Sequence, residues 1–300
     1  MCGIVGLFMK DHSLEPDFGV LFAEMLETMT ERGPDSAGFA VYRDGNPDEV
    51  KLVLRPTSGG GVSELCEDLE SNIPSIAEAV TRHTHLLVRL PRKNLFDLHN
   101  YLANHAPEVE VISSGERMEL YKEVGLAADI SREFGLPRMT ATHGVGHTRM
   151  ATESAVTTEG AHPFTTAPDQ CLVHNGSLSN HNNLRRMLMK NGQTFRTRND
   201  SEVAAGYISW RMKGNEGLGQ ALEHTLDDLD GFFTFVVGTA NGFGVLRDPI
   251  ACKPAVMAQT DQYVAFGSEY RALAHLPGIG NAEVWEPEPA KVYFWERQHA

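Results

Sequence analysis

Cys2-Gly3-Ile4-Val5-Gly6-Leu7-Phe8 opens the chain. The run is short, bounded by Lys10 and Asp11, and rich enough in branched residues to read as a buried strand. Its first residue is a cysteine that directly follows the initiator methionine. Removal of Met1, which the small Cys2 side chain favours, would leave a thiol and a free α-amine on one residue. An α-amine titrates at about 7.7 to 8.0 and a thiol at about 8.5, so near neutral pH the amine can accept the thiol proton without a His–Asp pair. With Met1 retained, that nitrogen would be a peptide amide of no useful basicity. A cysteine on a strand, taken alone, is more often a small buried apolar residue, so the companions of Cys2 decide its reading.

Outward from this strand, Phe18, Leu21, Phe22, Met25, Leu26 and Met29 form the stripe of an amphipathic helix, which Gly33-Pro34 stops. Residues 37–42 and 50–54 read as strands around the turn Asp44-Gly45-Asn46-Pro47, a β-hairpin. From about 55 to 140 the character changes. A strand at 86–90, a helical stripe of Leu95, Leu98 and Leu102, and a strand at 109–112 give a β-α-β pattern, the mark of a small inserted α/β lobe. Strands return at 144–148 and 171–174, helices are expected near 180–191, 200–212 and 217–228, and strands at 231–239, 242–247, 254–258 and 263–267 lead to a last one near 291–295. Strands joined by hairpins and segregated from helices predict an α+β chain whose antiparallel sheets carry helices on their outer faces. A four-layer α/β/β/α sandwich satisfies that pattern.

Further clusters accompany Cys2. Arg32-Gly33-Pro34-Asp35-Ser36-Ala37-Gly38 ends the first helix and enters a strand, and Gly146-His147-Thr148-Arg149-Met150-Ala151-Thr152 leaves one with an arginine at its edge. His174-Asn175-Gly176 stands at the end of the strand 171–174, and Asn199-Asp200-Ser201-Glu202 opens a helix, with Asn199 or Asp200 as N-cap. Each has a plainer reading beside it: Arg32 can cap a helix end, Asn175-Gly176 can be a hairpin turn, and Asp200 can be a cap alone. His143 and His147 would point to one face of a strand, without a Cys or third His at a metal-binding spacing.

In this order and after an N-terminal Cys-Gly-Ile-Val-Gly, the clusters resemble the class II glutamine amidotransferases of the N-terminal nucleophile (Ntn) hydrolase superfamily. Arg247-Asp248-Pro249 with Lys253-Pro254, and Gly267-Ser268-Glu269 with Ala272-Leu273, resemble that family's closing strands. The likeness covers most of residues 2–300 except the insert at about 55–140, for which docking is the expected use. It implies Cys2 as nucleophile, its α-amine as general base and later general acid, and Asn175 and Gly176 as the oxyanion hole. It also implies Arg149 on the α-carboxylate of glutamine, Asp200 on its α-ammonium, Thr152 nearby, and Arg32 orienting the nucleophile's loop on the substrate-binding side. These roles are chemically apt. Fixed donors stabilise the charge that develops on an attacked amide, and a zwitterion needs a cation and an anion placed apart. The family often has Trp where Met150 stands and His where Glu153 stands, which leaves the pocket wall near Arg149 open.

Lys and Arg number 26 against 40 Asp and Glu, a net charge of −14, which argues against a phosphate-backbone partner. The longest apolar runs, such as 231–237, fall far short of the roughly 18 residues that cross a bilayer. Lys10 and Asp11 end the N-terminal run too early for a signal peptide, and four cysteines without a C-x-x-C pair suit a reducing cytoplasm. The resemblance implies an enzyme that hydrolyses the side-chain amide of glutamine through a Cys2 thioester, with glutamine or glutamate as its small-molecule ligand and neither metal nor cofactor in this chain. Its likeness to the stand-alone subunit of glutamate synthase relatives, N-methylglutamate synthase in particular, implies separate synthase subunits carrying flavin and iron–sulfur groups. Another Ntn amidohydrolase, or a non-catalytic amino-acid-binding regulatory subunit, stands as the alternative.

Overall fold

The structure is a computed structural model that describes residues 2–58, 61–151 and 155–297. Strand β1 (Gly3–Met9) is buried along its whole length. Helix α1 (Phe18–Thr28) buries Phe18, Phe22, Met25 and Leu26, the stripe that the sequence spacing predicts. Strand β2 (Ser36–Tyr42) is again wholly buried.

The chain then leaves this sheet. β3 (Glu49–Pro56), α2 (Val62–Asn72), β4 (Glu78–Arg82), β5 (His85–Pro91), α3 (Leu95–His105) and β6 (Val109–Gly115) form a separate four-stranded sheet of order β4-β5-β3-β6, antiparallel throughout. β5 and β6 both flank β3 and run against it, so α3 is the crossover of a split β-α-β unit, and α2 is the crossover of a second one from β3 to β4. This β-α-β-β-α-β succession is the ferredoxin-like arrangement. The period of two along each strand sorts its faces. Leu52, Leu54, Leu86 and Val88 pack on Leu65, Leu69, Leu98 and Leu102 of the two helices, while Val53, Leu87 and Ile112 join the main core.

β7 (Met118–Val124) and α4 (Ala127–Glu133) bring the chain back, β7 as a partner of β2 and α4 beside α1. The separate sheet therefore runs from 49 to 115, not from 55 to 140, and residues 118–133 belong to the main body. The expected hairpin between 37–42 and 50–54 does not form. Both edges of β2 are taken, by β7 and by β8 (His143–Arg149), so β3 has to start another sheet. Asp44-Gly45-Asn46-Pro47 turns the chain out of one sheet into the next, and local turn chemistry is the same in either case.

β9 (Phe164–Ala167), β10 (Gln170–Leu178), α5 (His181–Lys190), α6 (Asp200–Lys213), α7 (Leu218–Asp228), β11 (Gly231–Thr239), β12 (Gly242–Arg247), β13 (Val256–Gln259), β14 (Tyr263–Gly267), β15 (Glu283–Trp285) and β16 (Val292–Glu296) complete the main body. Its seven-stranded sheet has the order β15-β13-β14-β1-β8-β2-β7 and its five-stranded sheet β16-β12-β11-β10-β9. Val5 and Val145 of the first pack against Val173, Val236, Phe243 and Val245 of the second. Helices α1 and α4 cover the outer face of the first, and α5, α6 and α7 bury Leu188, Ile208 and Leu222 against Leu172, Phe235 and Leu246 on the outer face of the second. The result is the four-layer α/β/β/α sandwich.

His143 and His147 do share one face of β8, the face between the sheets. His143 Nε2 donates to the Thr239 carbonyl at 2.8 Å and His147 Nε2 to the His174 carbonyl at 3.0 Å. A carbonyl only accepts, so each ring carries its proton on Nε2.

Candidate active site

Gly3 pairs with Thr148 across β1 and β8, a register that sets half-buried Cys2 beside Arg149, the last residue of β8. The Cys2 carbonyl accepts from Arg32 Nε at 3.0 Å and from Asn175 Nδ2 at 3.2 Å. The Cys2 Sγ lies 3.9 Å from the Met150 carbonyl. Arg32 thus holds the Cys2 backbone, as expected of a residue that orients this loop, and is not among the residues that line the cleft: its Nη1 pairs with Glu269 at 2.5 Å, and Glu269 also takes Arg271 Nε at 2.7 Å. Arg32 and then Arg271 hold the Glu269 carboxyl below the usual carboxylate range.

Asn175 and Gly176 are no hairpin turn. They lie inside β10, opposite Thr234 and Phe233 of β11. Gly176 has φ of +153°, and a Cβ there would stand 2.0 Å from the Phe232 carbonyl oxygen and 2.8 Å from His174 Nε2, so only glycine fits.

Asn199, not Asp200, caps α6, accepting from the Ser201 N–H at 2.8 Å. Asp200 is the first helical residue, and its Oδ2 accepts from the Leu178 N–H at 2.9 Å, which ties the helix start to the end of β10. Buried Glu202, in the same first turn, accepts from the N–H groups of Arg196 and Thr197, each at 2.8 Å, and from Thr197 Oγ1 at 2.7 Å. It folds the segment 194–199 back on the helix start.

These groups meet in a cleft of about 930 Å³ lined by Cys2, Arg149, Asn175, Gly176 and Asp200. The expected nucleophile, oxyanion pair and charged pair are therefore neighbours. Arg149 enters from the seven-stranded sheet and Asp200 from a helix on the five-stranded one, so opposite charges face the cleft from opposite layers. Arg149 is buried, and its Nη1 donates to the Ala155 carbonyl at 3.3 Å. Thr152 lies outside the described residues. The cleft also takes Lys253, quoted above only within a closing-strand motif, and His162, Arg196, Arg198 and Phe232, which the sequence reading did not single out. The latter come from loops and strand ends without a motif of their own, and the charge cluster Arg196-Thr197-Arg198 was their one sequence signal.

The buried imidazoles of His174, His147 and His162 supply no charge here at neutral pH. Burial pushes His174 down to about 4 against the pull of Asp200, His147 down to about 3, and His162 well below its ordinary value. His174 Nδ1 shares a hydrogen bond with Ser201 Oγ at 2.8 Å, and His162 stacks on His147 at 4.0 Å between ring centroids. Among the described residues no group of His, Cys, Asp and Glu side chains is arranged to hold a metal ion.

One wall of the cleft is the segment 155–163, which has no regular structure and is held from β7. Buried Lys122 donates from Nζ to the carbonyls of Glu159 at 3.1 Å and Ala161 at 2.9 Å, and lies 4.9 Å from the centre of the Phe164 ring. Thr158 Oγ1 donates to Glu123 Oε1.

Comparison with known proteins bears on the family and the fold. Residues 147–275 match the family described as a glutamine amidotransferase domain. The chain is 57 % identical to the glutamine amidotransferase-like protein GlxB of Rhizobium meliloti, over 100 % of both chains. It is 34 % identical to the glutamine–fructose-6-phosphate aminotransferase of Thermococcus kodakarensis over 42 % of this chain and 21 % of that one. Among solved structures, the glutamine phosphoribosylpyrophosphate amidotransferase of B. subtilis superposes with a TM-score of 0.62 at 19 % identity, over 98 % of this chain and 47 % of that one. The likeness in fold thus spans about half of that longer enzyme.

Proposed function

Because this chain belongs to the class II glutamine amidotransferase family, we propose that its cleft hydrolyses the side-chain amide of glutamine with Cys2 as nucleophile. The observation that carries the reading is the convergence of Cys2, the Asn175–Gly176 pair and the opposite charges of Arg149 and Asp200 on one cleft. The Cys2 thiol, once Met1 is removed, gives its proton to the α-amine of the same residue, and the thiolate attacks the amide carbon. Asn175 Nδ2 and the Gly176 N–H receive the charge that forms on oxygen, each such donor being worth on the order of 10²- to 10³-fold in rate. The α-amine returns the proton to the leaving nitrogen, ammonia departs, and water then cleaves the thioester to release glutamate. The Arg149 guanidinium grips the α-carboxylate through parallel N–H bonds and Asp200 accepts from the α-ammonium.

The likeness of the sequence to stand-alone subunits of glutamate synthase relatives supports an acceptor of the nitrogen on a separate subunit, in a glutamate synthase-like or N-methylglutamate synthase-like complex. A thiol nucleophile suits a reducing cytoplasm, and none of the helices described is long and apolar enough to cross a membrane.

Intact-mass analysis with an electrophilic glutamine analogue tests the site. One adduct per chain is expected, on a Cys2 that has lost Met1, together with glutaminase turnover that Cys2→Ala abolishes while the fold persists. Turnover retained by Cys2→Ala, or a mature chain with Met1 in place, overturns the reading.

A further inference from the structure

We infer that the inserted lobe holds both walls of the cleft in position, through a chain of side chains that runs Arg196, Glu110, Arg55, Glu123, Thr158. The inference rests on the reading of the cleft as the glutamine site. Arg196 lies in the wall before α6, and its Nη1 donates to the Val111 carbonyl at 2.6 Å and to Glu110 Oε1 at 3.2 Å, both on β6 of the lobe. The second oxygen of Glu110 is 3.8 Å from Nη1 of Arg55 on β3. The Nε of that guanidinium is 3.8 Å from Glu123 Oε2, and the other oxygen of Glu123 receives Thr158, whose neighbours Thr157 and Glu159 line the opposite wall.

The central link decides the behaviour. Arg55 is 21 % exposed and Glu110 and Glu123 are 15 % exposed, so solvent screens these charges less than it would on an open surface. The Arg55 Nε is buried with no hydrogen-bond partner, which leaves the two carboxylates to balance its charge. With that cation removed, Glu110 and Glu123 lose the charge they share, and their mutual repulsion drives them apart. Glu110 is bound to one wall of the cleft and Glu123 to the other. The walls, 155–163 and 194–199, are irregular segments, so a lateral tether sets their spacing where a sheet ladder does not. The lobe has its own core and meets the main core through Val53, Leu87 and Ile112. By linkage, whatever binds the lobe and moves Arg55 changes glutamine affinity, and glutamine changes the affinity of that partner by the same factor.

Arg55→Met, Arg55→Lys and Glu110→Gln in the full chain test the tether, read by glutamine kinetics and by hydrogen exchange without substrate. Arg55→Met is expected to raise KM about five- to tenfold with kcat within about twofold, as for the loss of a pair of partly shielded ion pairs. Arg55→Lys should restore most of the KM, and Glu110→Gln should repeat the defect. Exchange should quicken in 155–163 and 194–199 while β1 and β8 stay protected. Unchanged exchange and KM in Arg55→Met overturn the inference, and so does protection lost evenly through the sandwich. Should the unaltered chain lack glutaminase turnover, the functional reading fails by itself, and the exchange pattern still decides the tether.

Discussion

Lys122 takes an ammonium where water does not follow, and burial pushes its pKa down from 10.5 to about 8. Between these two values the unfolded chain holds a proton that the folded chain has released, so unfolding free energy rises with pH across that window and is lowest below pH 8. The rise is on the order of 3 kcal/mol. Lys122→Met should lack it, and urea unfolding at pH 7.5 and 10.5 measures the difference between the two proteins. The same variant loses both donors to the carbonyls of 159 and 161, so its glutamine KM should rise even where its stability does not fall. At this scale Cys2, Asn175, Arg149 and Asp200 were legible because their chemistry is uncommon in that order. Lys122 was not: a lysine in a strand reads as a solvent-facing residue, and nothing local says that a loop folds over it.

Helix α6 presents Asp200 to the cleft, and its first turn does so through backbone caps rather than through packing. Glu202 is the centre of that turn, taking two N–H groups and a hydroxyl. Glu202→Ala should cost on the order of 1.5 to 3 kcal/mol, the usual worth of hydrogen bonds to a charged acceptor. It should also weaken glutamine capture by releasing 194–199, and thermal unfolding beside steady-state kinetics checks both effects. The helices α1, α5, α6 and α7 were readable within a residue or two from their apolar stripes and caps. Strand pairing was less so. β2 and β3 looked like a hairpin because each has strand character and a turn lies between them, but pairing depends on which edges are vacant, and β7 and β8 occupy those of β2. Asn175-Gly176 looked like a turn for the same reason, while the ladder with β11 runs straight through it.

Across the whole molecule, burial holds His85, His143 and His147 down at about 3 and His174 at about 4. Each binds a proton in the unfolded chain below about pH 6.5 and not in the folded one, so stability falls as pH drops through that region, by about 1.4 kcal/mol per unit for each ring. Together the four amount to roughly 6 kcal/mol per pH unit, against a usual total of about 5 to 15 kcal/mol. With His162, which burial also holds well below its ordinary value, cooperative acid unfolding is therefore expected between about pH 5.5 and 3.5, with uptake of about five protons, and a circular dichroism titration paired with potentiometry checks it. His85 lies in the lobe sheet, His143 and His147 between the main sheets and His174 on the cleft, so the lobe should unfold together with the sandwich. The sequence by itself determined the sandwich and named the candidate groups of the cleft, because both are written in residue type and in periods of two and 3.6 that act over a few neighbours. The tertiary structure alone decided which strands pair, where the lobe begins and which charges hold the cleft walls. Those depend on edges and burial created by residues a hundred positions away, and no local pattern carries that information.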